Sequence, residues 1–230
     1  RIGFFNDDIR DSIKGSVFEV KETGFVNGAK GLETQIRSSV LGFCDGMGGY
    51  QPSSAHQSVS YVSAHDNYTL WDKLVHTLTD SMEPDFGAYN EVALAQNRLA
   101  AGIYFTCLGI TFLQAGEEAA RTKYGDDNSY RSPDSVNSLK WATLDKPEYQ
   151  DVLSYYKGLI AFRKAHAALH LSTREDVQRC VHPVYCENEH CVAFRIDEPE
   201  GEIFAVFNAD AQPVSVSLPD GHWNVNIRDG

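Results

Sequence analysis

Hydrophobic and polar positions follow two regimes along this chain. Up to about residue 171, short apolar runs alternate with stretches of helical spacing. Ile2 to Phe5 reads as a strand, and DDIRDSIKG behind it as a helix closed by Gly15. GFVNGAKG and GFCDGMGGYQP carry loop composition, and LETQIRSSVLG between them has helical spacing. Tyr61 to Ala64 is the next strand and LWDKLVHTL (70–78) a short amphipathic helix. EVALAQNRLAAGIYFTCLG (91–109) is apolar enough for a buried helix stopped at Gly109, although its IYFT portion fits a strand equally. ITFLQAG (110–116) is a strand that ends in small residues. A long polar loop (121–146) precedes a helix that starts near Pro147, with Val152, Tyr156, Leu159, Ile160 and Phe162 on one face. From residue 172 onward CVAFRI, EIFAVFNA, PVSVSL and HWNVNI alternate in and out between turn signals, which predicts a small antiparallel domain over 172–230.

The alternation of strand and helix over 1–171 predicts parallel strands joined by crossover helices, an α/β arrangement. Active sites of such folds sit where strands end. Phe5-Asn6-Asp7, His65-Asp66-Asn67 and Gln114-Ala115-Gly116-Glu117 all fall at such ends. Three consecutive strands delivering polar groups to one edge is a stronger signal than any one of them.

Composition narrows the partner. A net charge of −12 argues against nucleic acid and anionic lipid, which need clustered Lys and Arg, and suits a neutral ligand. Aromatic residues make up 11% of the chain, which leaves room for rings that stack on sugars, though most aromatics serve the core. No apolar run reaches the length of a membrane span. The five cysteines are odd in number and unevenly spaced, a poor disulfide framework. Cys180, Cys186 and Cys191 cluster with His182 and His190, but without the paired C-x2-C knuckles of a structural zinc site, and two of these cysteines could face each other across a hairpin. Free thiols in a reducing compartment are the plainer reading and incline the expected location to the cytoplasm. No cofactor is expected. DGMGG and GDDNS could offer oxygens to calcium, yet neither has the spacing of a dedicated loop.

A carboxylate beside an imidazole at a strand end can stabilise a cationic transition state or bind vicinal hydroxyls of a sugar. The bland alternative is a capping Asp with a His that donates to backbone. Here the surroundings carry weight. YVSAHDNYTLWDKL (61–74) resembles the segment ending the seventh barrel strand of type I pullulanases, α-1,6-glucan debranching enzymes of the α-amylase superfamily. FFNDDIRDSIKGSVF resembles the family's sixth-strand segment, and GITFLQAGEEAARTKYGDDNSYRSPDSVNSLKW its eighth-strand segment and following loop. The resemblance runs from residue 1 to about 170, and the last 55 or so residues fit the family's C-terminal β-sandwich with weaker motifs.

The resemblance implies the C-terminal portion, about strands 6–8, of a (β/α)8 barrel, followed by a small antiparallel β-sandwich. It also implies a retaining glycoside hydrolase acting on α-1,6 branches of pullulan, glycogen or limit dextrins. Asp66 matches the family's transition-state-stabilising Asp, and His65 the histidine that hydrogen-bonds the sugar at the cleavage point. Asn67 either binds sugar or only shapes the turn. Asp127, Asn128 and Arg131 lie where related enzymes hold the next sugars, or else form a solvated loop. Tyr130 and Trp71 either stack on sugars or pack. Asp7 and Arg10 are expected to pair at the rim, and Glu117 and Glu118 to cap the turn they begin.

The family's nucleophile lies in a segment reading like GFRFD and its acid/base in one reading like GEGW. Neither is in this sequence. The mechanism needs both carboxylates. The expectation is therefore a C-terminal fragment that is inactive alone and whose partners are an α-glucan and the upstream part of the same enzyme. The alternative is a non-catalytic module that binds glucan or stabilises a barrel.

Overall fold

The computed structural model of the chain describes residues 2–45 and 51–228. Most of DGMGG, the terminal Arg1 and the Asp229-Gly230 turn lie outside the described residues.

The first half follows the alternating pattern. Strand β1 (Phe4–Phe5) leads into helix α1 (Asp7–Lys14), and helix α2 (Glu33–Val40) precedes β2 (Ser58–Ser60). Helices α3 (Leu70–Thr77) and α4 (Glu91–Thr106) then lead to β3 (Ile110–Thr111). The three strands form a parallel sheet in the order β1-β2-β3, with Phe5 opposite Val59 and Ser60 opposite Thr111. Past the sheet come the single turn α5 (Asp134–Asn137), the long α6 (Pro147–Ala165) and α7 (Arg174–Cys180).

Local chemistry explains these limits. Asn6 accepts from the Asp8 backbone N–H and starts α1, Thr69 Oγ1 does so for α3 through Asp72, and Asn90 does so for α4 through Ala93. Gly15 ends α1 at φ 89°, where an added Cβ would lie 2.2 Å from the Glu22 carbonyl oxygen. The ambiguous IYFT segment is helix, since α4 runs unbroken through Thr106. Gly109 follows at φ 104°, where any side chain would meet the Ala55 and Ser58 carbonyls at 2.5 and 2.8 Å.

Several expectations need correction. The ladder of β2 covers Ser58–Ser60, not Tyr61–Ala64. Its neighbours offer only two residues each, so pairing ends at Ser60, and the carbonyl and hydroxyl of the following segment are engaged by side chains instead. Helix α3 is not simply amphipathic, because Asp72, Lys73 and His76 are buried along with its apolar residues. On α6, Val152, Tyr156 and Leu159 are buried at spacings of one turn, whereas Ile160 points to solvent. Arg163 on the same helix is buried and donates to the carbonyls of Phe105, Cys107 and Gly109 at 2.8 to 2.9 Å, which neutralises the C-terminal end of α4.

The C-terminal segment forms an antiparallel sheet of β4 (Val181–Val184), β5 (Cys191–Glu198) and β6 (Gly201–Asn208). CVAFRI and EIFAVFNA are strands as the alternation predicts, joined by the two-residue turn Pro199-Glu200. PVSVSL and HWNVNI are not strands. Val214 and Val216 pack on the β5–β6 face and Trp223 stacks edge-on against Phe204, so side chains hold this segment without a ladder. One apolar core runs from Ile9, Phe25, Ile36 and Val40 through Tyr104 and Leu159 to Phe194, Ile196 and Phe207, and so joins the helices of the first half to the antiparallel sheet.

Candidate functional site

The polar residues at the ends of the parallel strands converge. Asp7 and Arg10 pair at 2.8 Å, as expected. Tyr61, which the sequence did not single out, completes the group. Its hydroxyl donates to Asp7 Oδ1 at 2.8 Å and accepts from Arg10 Nη1 at 3.0 Å. Arg10 is fixed further by both carboxylate oxygens of Asp11, at 2.6 and 3.0 Å. Burial, and next the bond to Asp7, push the Tyr61 phenol up to about 12, so it stays a donor at neutral pH.

His65 and Asp66 follow β2 and stand in solvent, with side chains 88% and 75% exposed. Their Nε2 and Oδ2 atoms lie 3.3 Å apart. Asn67 turns the chain at φ 62°, a left-handed conformation that Asn tolerates better than most residues. The two side chains are therefore not packed, but the backbone beneath them is held from below. Gln114 Nε2 donates to the Ala64 carbonyl, and Lys123 Nζ to the His65 carbonyl at 3.3 Å.

Glu117 is the deepest of these anchors. It is buried, and its Oε2 accepts from Ser63 Oγ at 2.6 Å. Oε1 accepts from the hydroxyls of Tyr104 and Tyr156 at 2.7 and 3.1 Å. Burial raises its pKa against the lowering effect of these hydroxyls. The expected capping role is thus corrected for Glu117, whose side chain turns inward to hydroxyls. Glu118 does cap, accepting from the Gly116 backbone N–H at 3.0 Å.

The loop after β3 is organised by two carboxylates, Asp72, which the sequence did not mark, and Asp126 of GDDNS. Buried Asp72 accepts from Thr122 Oγ1 at 2.5 Å and from the Lys123 N–H at 2.8 Å, which docks the loop on α3. Asp126 accepts from Ser132 Oγ and from the Asn128 N–H, and its pKa falls chiefly through the serine bond. Asp127, Asn128 and Arg131 sit exposed on the turn so formed, which brings these three together. Arg131 lies over the Tyr130 ring, 5.0 Å from its centre. Asp127 reaches the HDN side electrostatically, since it helps raise the Tyr68 pKa after burial.

Between these loops lies an open cleft of about 460 Å³ lined by Tyr68, His76, Phe86, Tyr124 and Gly125, with Glu83 and Asp85 at its polar edge. Tyr124 is half exposed. Trp71, by contrast, is buried and donates to the Phe86 carbonyl at 2.9 Å, so it packs rather than offers a stacking face. The signal for Tyr68 and Tyr124 was their position, one directly after HDN and one directly before GDDN.

Among the described residues no group of three or more His, Cys, Asp or Glu is placed to hold a metal ion. His182 pairs with Asp197 at 2.9 Å, and His190 Nε2 lies 2.8 Å from the Phe25 carbonyl, so the two histidines of the cysteine cluster do not converge. Among the described residues no helix is long and apolar enough to cross a membrane.

A parallel sheet with crossover helices and polar groups gathered at its C-terminal edge, with an exposed His-Asp pair among them, places the chain in the α/β class. A scan of protein-family models finds no match. Individual proteins do match. The chain is 34% identical over 227 residues to the pullulanase of Bacillus subtilis strain 168, which covers 95% of this chain and 30% of that protein. It is 28% identical over 197 residues to the chloroplastic isoamylase SU1 of Zea mays, covering 71% of this chain and 24% of that protein. Among solved structures, pullulanase from Anoxybacillus sp. LM18-11 complexed with maltotetraose superimposes with a TM-score of 0.87 at 31% identity, over 99% of this chain and 32% of that one. Pullulanase from Paenibacillus barengoltzii in complex with maltohexaose and alpha-cyclodextrin gives 0.83 at 38% identity, over 95% and 33%. The chain thus groups with the pullulanases and isoamylases, and spans about a third or less of the length of the relatives it matches.

Proposed function

We propose that this polypeptide supplies part of the active site of an α-1,6-glucan debranching hydrolase. In this reading β1, β2 and β3 are about strands 6–8 of a (β/α)8 barrel, and 172–230 is the accompanying C-terminal β domain. Asp66 stabilises the positive charge that develops on the sugar ring during cleavage, and His65 binds a hydroxyl of that sugar. Asn67, Asp127, Asn128 and Arg131 contact further sugar units.

The observation that carries this reading is the exposed His65–Asp66 pair over a buried, fully bonded base. The pair stands free in solvent, while Gln114, Lys123 and the Ser63–Glu117 bond fix the backbone that presents it. Such an arrangement costs little reorganisation when a substrate arrives. The neighbouring cleft, with the rings of Tyr68, Phe86 and Tyr124, suits an oligosaccharide. Maltooligosaccharides are bound in the Anoxybacillus and Paenibacillus structures.

A retaining glycosidase needs a nucleophile and an acid/base beyond Asp66, and the segments that resemble those of the family are not in this sequence. We therefore assign those two roles to an upstream polypeptide of the same enzyme. Phe4 and Phe5 on β1 and Ile110 on β3, the two outer strands of the sheet, are each about half exposed, and these apolar edges support an association of that kind.

Reducing-sugar release from pullulan by the 230-residue chain, with Asp66→Asn beside it, tests the assignment. Neither is expected to release sugar. Release by the unmodified chain and not by the variant would show that the chain carries its own catalytic pair. The second reading, a glucan-binding module without turnover, is favoured by the aromatic cleft, and retardation in a glucan affinity gel with no sugar release even after the upstream polypeptide is supplied would support it.

A further inference from the structure

We propose that Cys186 and Cys191 are a dithiol site that closes to a reversible disulfide across the β4–β5 hairpin. The register of the hairpin carries the argument. Strand pairing ends at Val184 opposite Ala193. Continuing it by two residues on each side sets Cys186 opposite Cys191, on the same face as that pair. Directly opposed residues of antiparallel strands have Cα atoms about 4.5–5.5 Å apart, within the range that a disulfide spans. The sulfurs already face each other at 3.3 Å, with the Cys191 S–H donating to Cys186 Sγ. Both are free thiols, and the pocket around them is apolar, formed by Val184, Ala193, Phe204, Val214 and Val216.

The other three cysteines differ. Cys107 Sγ donates to the Ile103 carbonyl and Cys44 Sγ lies near the Gly42 carbonyl, so each faces backbone rather than a second thiol. Cys180 closes α7. Site selectivity therefore follows from geometry and not from exposure, since all five are buried.

The oxidant is a low-molecular-weight disulfide. Cys186 is the less buried of the two, and its thiolate attacks one sulfur of the reagent. The reagent's S–S bond breaks, one reagent thiolate leaves and takes up the proton that Cys186 lost. The thiolate of Cys191 then attacks the Cys186 sulfur of the mixed disulfide, and the second reagent thiol leaves with the Cys191 proton. Two protein thiols and one reagent disulfide become one protein disulfide and two reagent thiols. Burial, and next the bond to Cys186, hold the Cys191 thiol up at about 12, so the second step is slow at neutral pH and quickens as pH rises.

The site has a structural reach. His190, beside Cys191, lies 2.8 Å from the Phe25 carbonyl and packs edge-on against the Phe25 ring, so the hairpin end touches the core of the first half. Closing the bond ties the hairpin at that contact.

The test equilibrates the 230-residue chain in glutathione disulfide, quenches with acid, alkylates free thiols in denaturant and maps the peptides by mass. The expected result is loss of two of the five alkylatable thiols, a single linked peptide pair joining Cys186 to Cys191, formation faster at pH 9 than at pH 7, and a melting temperature raised by about 5 °C that dithiothreitol reverses. Cys186→Ser is expected to abolish the bridge and Cys44→Ser to leave it. Five alkylated thiols after equilibration, or a bridge that uses a different pair, would overturn the proposal. The mapping on the unmodified chain decides it even if a variant fails to fold.

Discussion

Ser63 donates its hydroxyl to Glu117 Oε2 at 2.6 Å, a bond that links the segment after β2 to the turn after β3 at the base of the His65–Asp66 pair. Tyr104 from α4 and Tyr156 from α6 converge on the other carboxylate oxygen, so one buried side chain ties two loops and two helices. Glu117→Ala leaves three hydroxyls without their shared acceptor, although Tyr156 keeps Asn97 Oδ1 at 2.9 Å and Tyr104 keeps its bond with the Tyr156 hydroxyl. The expected loss of stability is about 2–4 kcal/mol, read from urea unfolding, with Tyr156→Phe costing less. An unchanged midpoint for Glu117→Ala would remove the anchoring role.

Lys14 is fully buried and its Nζ has no hydrogen-bond partner. Burial, with Arg10 and Lys73 adding to it, lowers its pKa from 10.5 to about 7, against a partial raise by Glu117 and Asp11. The unfolded chain binds the proton up to about 10.5, while the folded chain releases it near 7. Between these values the unfolded state holds more protons, so stability rises with pH, and the penalty is fully present below about pH 7. Lys14→Met is expected to stabilise the fold by about 1–4 kcal/mol at pH 6 and to flatten the rise between pH 7 and 10. Unfolding curves at several pH values check the sign, and a variant less stable at pH 6 would contradict it.

Asn67 resolves by substitution what the sequence leaves open. At φ 62° its backbone suits glycine and resists β-branched residues. With its amide on a sugar, as proposed above, Asn67→Gly is expected to lose glucan retardation in an affinity gel, and retained retardation would leave the residue only a turn-shaping role. Loss of retardation with an unchanged melting temperature would assign the amide to sugar. Asn67→Val is expected to cost about 1–2 kcal/mol in either case.

Asp126 holds the turn that carries Asp127, Asn128 and Arg131 through Ser132 and the Asn128 N–H. Asp126→Ala is expected to open 125–132 to limited proteolysis and to weaken glucan retardation by several fold, with little change in global unfolding. Protection equal to that of the unmodified chain would mean the turn holds itself.

Much of this arrangement was legible in the sequence where a pattern is local. The 3.6 periodicity marked α2, α4 and α6, the glycines marked helix ends, and the His-Asp-Asn cluster marked an edge loop. What the pattern hid depends on contacts distant in sequence. Nothing in GEEAA says that Glu117 turns inward to hydroxyls from residues 63, 104 and 156. Nothing in LWDKL says that Asp72 docks a loop fifty residues on. PVSVSL alternates like a strand, yet its valines meet their apolar surface without a backbone partner, since alternation reports burial rather than pairing. The strand expected at Tyr61–Ala64 fails for a related reason: Tyr61, Val62 and Ser63 are buried, but the ladder lies just before them.

The most direct test of the account is a chimera in which this chain replaces the matching segment of the Bacillus subtilis pullulanase, assayed for reducing-sugar release from pullulan. The account predicts activity from the folded chimera and a loss of at least about a thousandfold with Asp66→Asn at an unchanged melting temperature, as removal of an electrostatic stabiliser of the transition state demands. An Asp66→Asn chimera as active as its parent would contradict the assignment of Asp66 and, with it, the proposed site.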